Sequence, residues 1–203
     1  MRRLKRTLLP NTVEKRLLRL DLRAGDVCVD IGANVGAVSE LLLDRGCVVH
    51  AYEPHPQAFA ALHARLGAHA AFFGYPQAVS NTRERRKLFL HSRHGEDELA
   101  FSQGASLRSD KRNVGEDYVS VDVVAIGDVL GNLPPIKVLK IDVEGEEYNI
   151  LQDIVDCRLH DRIHYLLCES HHEKIADLRP LYLQYRDTIS QMGLAERWTL
   201  DWI

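Results

Sequence analysis

Asp30-Ile31-Gly32-Ala33-Asn34-Val35-Gly36-Ala37 joins an apolar run over residues 27–31 to a segment of helical pattern over residues 38–43. The run is continuous rather than alternating, which is the pattern of a strand buried on both faces. Gly32 and Gly36 admit close approach of a ligand to the backbone, and Asn34 is the non-glycine residue best suited to a left-handed conformation. Gly32, Asn34 and Ala37 also fit the dinucleotide-binding spacing, with Asn in the place of its second glycine. Asp30 points to a different ligand. A carboxylate there would repel a pyrophosphate set against the helix amino end. It would instead attract a ligand bearing an ammonium or sulfonium, whose own carboxylate the loop amides can receive.

Outward from this loop the pattern repeats. Residues 47–52 form a second buried run closed by Glu53-Pro54, and residues 56–66 read as a helix with Pro56 in its first turn. Alternation of strand and helix implies a parallel sheet with right-handed crossovers. A third strand is expected over residues 71–79, blurred by Gly74 and Pro76. Upstream, Asn11 and Glu14 resemble a capping box opening an amphipathic helix. Residues 81–115 lose periodicity, with one short strand expected at 87–91. An alternating strand follows over 119–124, a buried strand over 137–143, a helix over 146–155 and a further buried strand over 163–168.

Composition bounds the function. The 203 residues carry 26 Lys plus Arg against 29 Asp plus Glu, a formal net charge of −3, which argues against general binding of nucleic acid or of an anionic membrane surface. One domain is expected over residues 1–203, with a helical segment at 1–24. Cys28, Cys47, Cys157 and Cys168 show no disulfide framework or C-x-x-C spacing, and no run is long and apolar enough for a membrane span. Residues 1–9 contain Arg2, Arg3, Lys5 and Arg6 but no apolar signal core, so a cytoplasmic protein is expected.

The strand ends carry the chemistry. Asp30, Glu53, Asp142 and Glu169 each stand at the end of a parallel-type strand, and in open α/β sheets ligands bind beyond those ends. Glu53, after the second strand, is placed to accept both ribose hydroxyls of an adenosine. NAD and S-adenosylmethionine share that ribose, but the cationic end of the latter suits Asp30.

Asp30-Ile31-Gly32-Ala33-Asn34-Val35-Gly36, Tyr52-Glu53-Pro54, Ala78-Val79-Ser80, Lys140-Ile141-Asp142-Val143-Glu144-Gly145-Glu146 and Cys168-Glu169-Ser170-His171 occur in an ordered set. In this the chain resembles the FkbM-type methyltransferases, over roughly residues 13–172. The resemblance implies a class I, Rossmann-like, doubly wound α/β fold. Its sheet would be mostly parallel and seven-stranded, with an antiparallel last strand. S-adenosylmethionine would be the methyl donor. It also implies that Asp30, Gly32, Ala33, Asn34, Gly36, Glu53 and Pro54 hold the methionine and ribose parts. Ala78 and Val79 would lie near the adenine, and Asp142 would face the transferred methyl. Residues 81–118 would form a variable, substrate-side insertion.

Methyl transfer to a hydroxyl needs positioning and a base. Asp142 and His171 are the candidates for the base, with Glu144 and Glu169 orienting the histidine or the acceptor. Lys140, inside a buried strand, is expected to pair with a neighbouring acid for structure. No bound metal is expected: Cys157, His160 and His164 have ligand-like spacing but straddle a helix end, and magnesium on Asp142, Glu144 and Glu169 is the metal reading preferred to zinc there. Arg83, Arg85, Arg86 and Lys87 read first as a solvated edge interleaved with Glu84, with attraction of an anionic acceptor as the alternative. The expected activity is therefore O-methylation of a sugar, glycan or natural-product hydroxyl. An NAD-dependent oxidoreductase and an idle binding protein of the same fold are the rivals.

Overall fold

A computed structural model describes residues 11–202. The first ten residues of the expected 1–24 helical segment lie outside the described residues; within it, α1 is Asn11–Leu18. The βα units follow as β1 (Val27–Ile31), α2 (Ala37–Asp44), β2 (Val48–Tyr52), α3 (Pro56–Leu66) and β3 (Phe72–Tyr75). Next come β4 (Ala78–Ser80), β5 (Glu84–His91), β6 (Val114–Ala125) and α4 (Ile126–Gly131). The chain closes with β7 (Ile136–Ile141), α5 (Glu147–Asp156), β8 (Ile163–Cys168), α6 (Arg179–Gln191) and β9 (Trp198–Thr199).

The main sheet has the order β3-β2-β1-β7-β8-β9, and all its strand pairs are parallel. Side-chain alternation divides the core into two layers. Cys28 and Val138 face a cluster closed by Leu17 of α1, Leu42 of α2 and Leu62 of α3. Val29, Ile31, Leu139 and Ile141 face the opposite cluster, closed by Leu130 of α4, Ile150 and Leu151 of α5 and Ile189 of α6. A parallel sheet covered on both faces explains why these strands are continuous apolar runs.

The doubly wound α/β class is as expected. The expected seven strands and antiparallel last strand are not what the described residues form. The main sheet has six strands, and β9 joins β8 in parallel through Leu166 with Trp198 and Leu167 with Thr199. Antiparallel pairing at that edge is a single bridge between Glu169 and Asp201. The main sheet is one strand short of that count, and part of an expected strand lies in a separate sheet. The expected strand over 71–79 divides around Pro76, which has no N–H to give a ladder. Its first part is β3, whereas its second part, β4, pairs with β6 in a separate three-stranded sheet of order β4-β6-β5. Both β5 and β6 are longer than the sequence pattern suggested, because their solvent-facing positions carry charge that hides the strand period.

Candidate active site

Beyond the carboxyl ends of β1, β2 and β7 lies a cavity of about 400 Å³. Of the residues expected to bind the donor, Gly32, Ala33, Asn34, Glu53, Pro54, Ala78, Val79 and Asp142 line it, whereas Asp30 and Gly36 do not. Gly36 has a packing role: a Cβ there would come within 2.5 Å of Leu62 Cδ1. Asn34 takes the left-handed conformation, φ +47°. Its Oδ1 accepts the Val35 N–H at 2.8 Å.

The loop is closed on itself. The N–H groups of Gly32 and Ala33 both go to Tyr52 O, that of Asn34 to Glu53 Oε2, and that of Gly36 to Ala33 O. With Val35 bound to Asn34, none of these amides is left for a ligand's phosphate or carboxylate, contrary to the expectation that they would receive one. Glu53 Oε1 accepts the His55 N–H at 2.8 Å, which fixes the carboxyl group at the cavity wall. Burial, set against the two backbone N–H groups, pushes its pKa up to about 7.

Asp30 is also corrected. Instead of ending on the rim, it is the penultimate residue of β1, on the same face as Cys28, and it is fully buried. Its cross-strand partner in β7 is Lys140. Lys140 Nζ lies 3.2 Å from Asp30 Oδ1 and 2.6 Å from Gly32 O, and Ser39 of α2 donates to Asp30 Oδ2 at 2.7 Å. Burial pulls the lysine pKa down, but Asp30 and Asp142 outweigh it and push it up to about 12. Asp30 therefore neutralises Lys140, the acid partner expected for that lysine, and the cavity is left with the other three strand-end carboxylates. Glu53, Asp142 and Glu169 each follow the last residue of a strand and all border the cavity.

His171, expected as a base, is buried behind the cavity wall. Its Nδ1 is 2.7 Å from Glu147 Oε1, and its Nε2 is 3.1 Å from Glu144 Oε2, 3.6 Å from Glu169 Oε1 and 3.9 Å from Asp142 Oδ1. Burial opposes the charge, but Glu144 and Glu147 outweigh it and push His171 up to about 10. A ring that keeps its proton to that pH does not draw one from an acceptor near neutrality. Asp142 borders the cavity, and burial pushes it up to about 6 against the pull of Lys140. Burial also opposes ionisation of Glu144, yet His171 and Lys111 hold it down at about 2.

The sequence reading missed Glu147 and Lys111. Glu147 is the nearest partner of His171, although Glu144 and Glu169 had that role in expectation. Its Oε1 also takes the Gly145 N–H at 3.1 Å, tying the turn before α5 to the histidine. Lys111 is buried, with Nζ 2.5 Å from Glu144 Oε2 and 3.0 Å from Gly104 O. The adjacent acids Glu146 and Glu147, just after Gly145, were the available signal for the first. No local signal marks Lys111, which lies in the aperiodic stretch.

That stretch supplies a wall. Leu88, Ser102, Gln103, Ala105 and Leu107 line the cavity, and Asn34 Nδ2 donates to Ser102 Oγ at 2.9 Å. The basic cluster is spent internally: Arg83 pairs with Asp128, Arg85 with Asp122 and Arg86 with Glu146, while Lys87 sits 4.0 Å above the Tyr118 ring. Cys157, His160 and His164 bond separately to Asp153, Asp161 and Arg197.

A doubly wound parallel sheet with a carboxylate-rimmed cavity over its strand ends is the frame of a Rossmann-like α/β methyltransferase. The chain belongs to the FkbM methyltransferase family, whose domain model matches residues 30–194. It is 31% identical to the 31-O-demethyl-FK506 methyltransferase FkbM of Streptomyces tacrolimicus, over 75% of this chain and 68% of that protein. Among solved structures it is similar to a precorrin-8w decarboxylase of Methanobacterium thermoautotrophicum, at 19% identity and TM-score 0.38, over 73% of this chain and 57% of that one. A precorrin-6y C5,15-methyltransferase of Geobacter metallireducens GS-15 gives 16% identity and TM-score 0.39, over 75% and 59%. Among the described residues no helix is long and apolar enough to cross a membrane.

Proposed function

We propose that the protein is an S-adenosylmethionine-dependent O-methyltransferase acting on a hydroxyl of a sugar, glycan or natural product. The observation that carries the donor is the cavity's charge. Glu53, Asp142, Glu144 and Glu169 border it, the amides of residues 32–36 are occupied, and of its two lysines Lys140 is committed to Asp30 and Lys174 lies 3.3 Å from Glu169. Such a wall favours a cationic ligand over a dinucleotide pyrophosphate. The fit extends to the rest of the molecule: Glu53 would take the ribose hydroxyls, and Ala78 and Val79 supply an apolar surface for a base. When bound there, S-adenosylmethionine supplies an electrophilic methyl group on a cationic sulfur. The relative's name, with its demethylated oxygen as acceptor, supports O-methylation.

The chain's own residues then position and deprotonate. Asp142 takes the hydroxyl proton of an acceptor held against Glu144 and Glu169, and buried His171 acts as a positioning residue that holds those carboxylates together. Residues 81–118, through Gln103 and Leu107, select the acceptor. Asp142→Asn is expected to lower kcat by at least ~100-fold, the usual loss when a positioned base is removed. Single-turnover methylation of a true acceptor measures it, and an unchanged rate removes Asp142 from this role.

Glu53 gives a pH signature. Ribose hydroxyls donate to a carboxylate, so binding favours its ionised form. With a pKa near 7 in the free protein, affinity for S-adenosylhomocysteine should fall as pH drops from 8 to 6. Glu53→Gln should weaken binding about 10- to 100-fold, the value of one charged hydrogen bond, and flatten the pH dependence. Calorimetry across that range decides. Saturation by NADH, with no heat from S-adenosylhomocysteine, sinks the donor assignment.

A further inference from the structure

Four carboxylates surround His171, and the geometry of the group is that of a ligand set. Glu147 is fully buried and His171 is 1% exposed, so the 2.7 Å contact of Glu147 Oε1 with Nδ1 fixes the ring where no water competes. A histidine that ligates a metal characteristically gives its other ring N–H to a carboxylate in this way. The opposite nitrogen, Nε2, is aimed at carboxylate oxygens of Asp142, Glu144 and Glu169, yet it has no hydrogen-bond partner, whereas Glu144 Oε2 is met by Lys111 Nζ at 2.5 Å. Nε2 and Glu144 Oε2 come within 3.1 Å as an ion pair without a hydrogen bond between them. A buried nitrogen so oriented and left without a hydrogen bond calls for a different partner.

We propose that Asp142, Glu144 and His171 bind a divalent cation of the Mg²⁺ or Mn²⁺ class through Oδ1, Oε2 and Nε2. Donor atoms of these three residues all lie within 4.8 Å of one another. An octahedral ion with bonds of about 2.1 Å needs donors roughly 3.0 Å apart in adjacent positions and roughly 4.2 Å apart in opposite ones. The 3.1 Å separation of Nε2 from Glu144 Oε2 matches the adjacent spacing, and the 3.9 Å separation from Asp142 Oδ1 is about 0.3 Å short of the opposite one, a shift that a rotation of the partly exposed Asp142 carboxylate supplies. Oxygen donors with one imidazole and no thiolate suit a hard ion, manganese above all.

Charge leads to the same place. Asp30, Asp142, Glu144, Glu147 and Glu169 are paired among Lys111, Lys140, Lys174 and His171. Five carboxylates against three lysines and a protonated imidazole leave one negative charge, and a dication that displaces the Nε2 proton brings the cluster to neutrality. Lys111 Nζ, at 2.5 Å from Glu144 Oε2, would share that oxygen with the ion. Asp142 and Glu144 border the cavity, so the remaining coordination positions open where an acceptor hydroxyl would lie. That last role rests on the methyl-transfer reading, whereas the binding of the ion does not.

Mn²⁺ is the probe, added to full-length protein stripped with EDTA and followed by electron paramagnetic resonance, with S-adenosylhomocysteine binding measured in parallel. The expected result is one bound Mn²⁺ per chain, competed by Mg²⁺, with a nitrogen hyperfine coupling that His171→Ala abolishes. Should His171→Ala fail to fold, Asp142→Asn, at a partly exposed position, is expected to weaken Mn²⁺ binding at least tenfold. Binding that lacks nitrogen coupling, or that is equal in Asp142→Asn, overturns the site. Protein that binds S-adenosylhomocysteine but no Mn²⁺ overturns the metal site and leaves the donor assignment standing; the reverse result does the opposite.

Discussion

Gly32→Ala is expected to destabilise the fold by about 3–5 kcal/mol, from backbone strain and overpacking together. Gly32 has φ +76°, and a Cβ there would stand 1.8 Å from the carbonyl oxygen of Asp142. Neither atom can move freely. Asp142 N–H donates to Ile31 O at 3.0 Å, so the ends of β1 and β7 are held by the ladder that creates the contact. Relief requires the two strands to part at the point where the loop and Asp142 meet the cavity. The midpoint of thermal unfolding should fall by roughly 10 °C, taking about 2–4 °C per kcal/mol for a chain of this size. Binding of S-adenosylhomocysteine should fall with it. A variant of near-native stability would show that the β1–β7 approach is looser than described.

Lys140→Met should cost about 3–5 kcal/mol, because it leaves Asp30 buried without its counter-ion. The substitution keeps most of the volume, so the loss is chiefly electrostatic. Lys140 also bonds the carbonyl oxygen of Gly32 at 2.6 Å, and the glycine loop loses that anchor. Asp30→Asn combined with Lys140→Met removes both charges, and it should recover much of the stability lost by Lys140→Met. Denaturant unfolding of the two single variants and the double closes the cycle. Strict additivity would mean that the pair is not coupled. The cycle also tests the place given to Asp30: a donor ligand on the rim would lose affinity in Asp30→Asn with little loss of stability, whereas the buried partner of Lys140 loses stability first.

Much of the fold was legible because continuous apolar runs at residues 27–31, 48–52, 136–141 and 163–168 have one stable use, the interior of a parallel sheet covered by helices. Strand ends were legible for the same reason, since the first polar residue after each run had to emerge at the carboxyl edge. Glu53, Asp142 and Glu169 obey that rule. Asp30 does not, because Ile31 follows it and extends β1 by one residue, and in a strand one residue decides which face a side chain takes. Its partner, Lys140, is 110 positions away, and only the β1–β7 register brings the two together.

The sequence by itself determined the class of fold, the order of the βα units and the glycine loop, because these follow from local pattern and from backbone conformations that few residues adopt. Only the tertiary structure decided which charges meet. Asp30 faces Lys140, His171 lies among four carboxylates, and Lys111 reaches Glu144 from the far side of an aperiodic segment. The physical reason is that a buried charge is tolerated only beside a partner, and that partner is chosen by strand register and loop path across long stretches of chain.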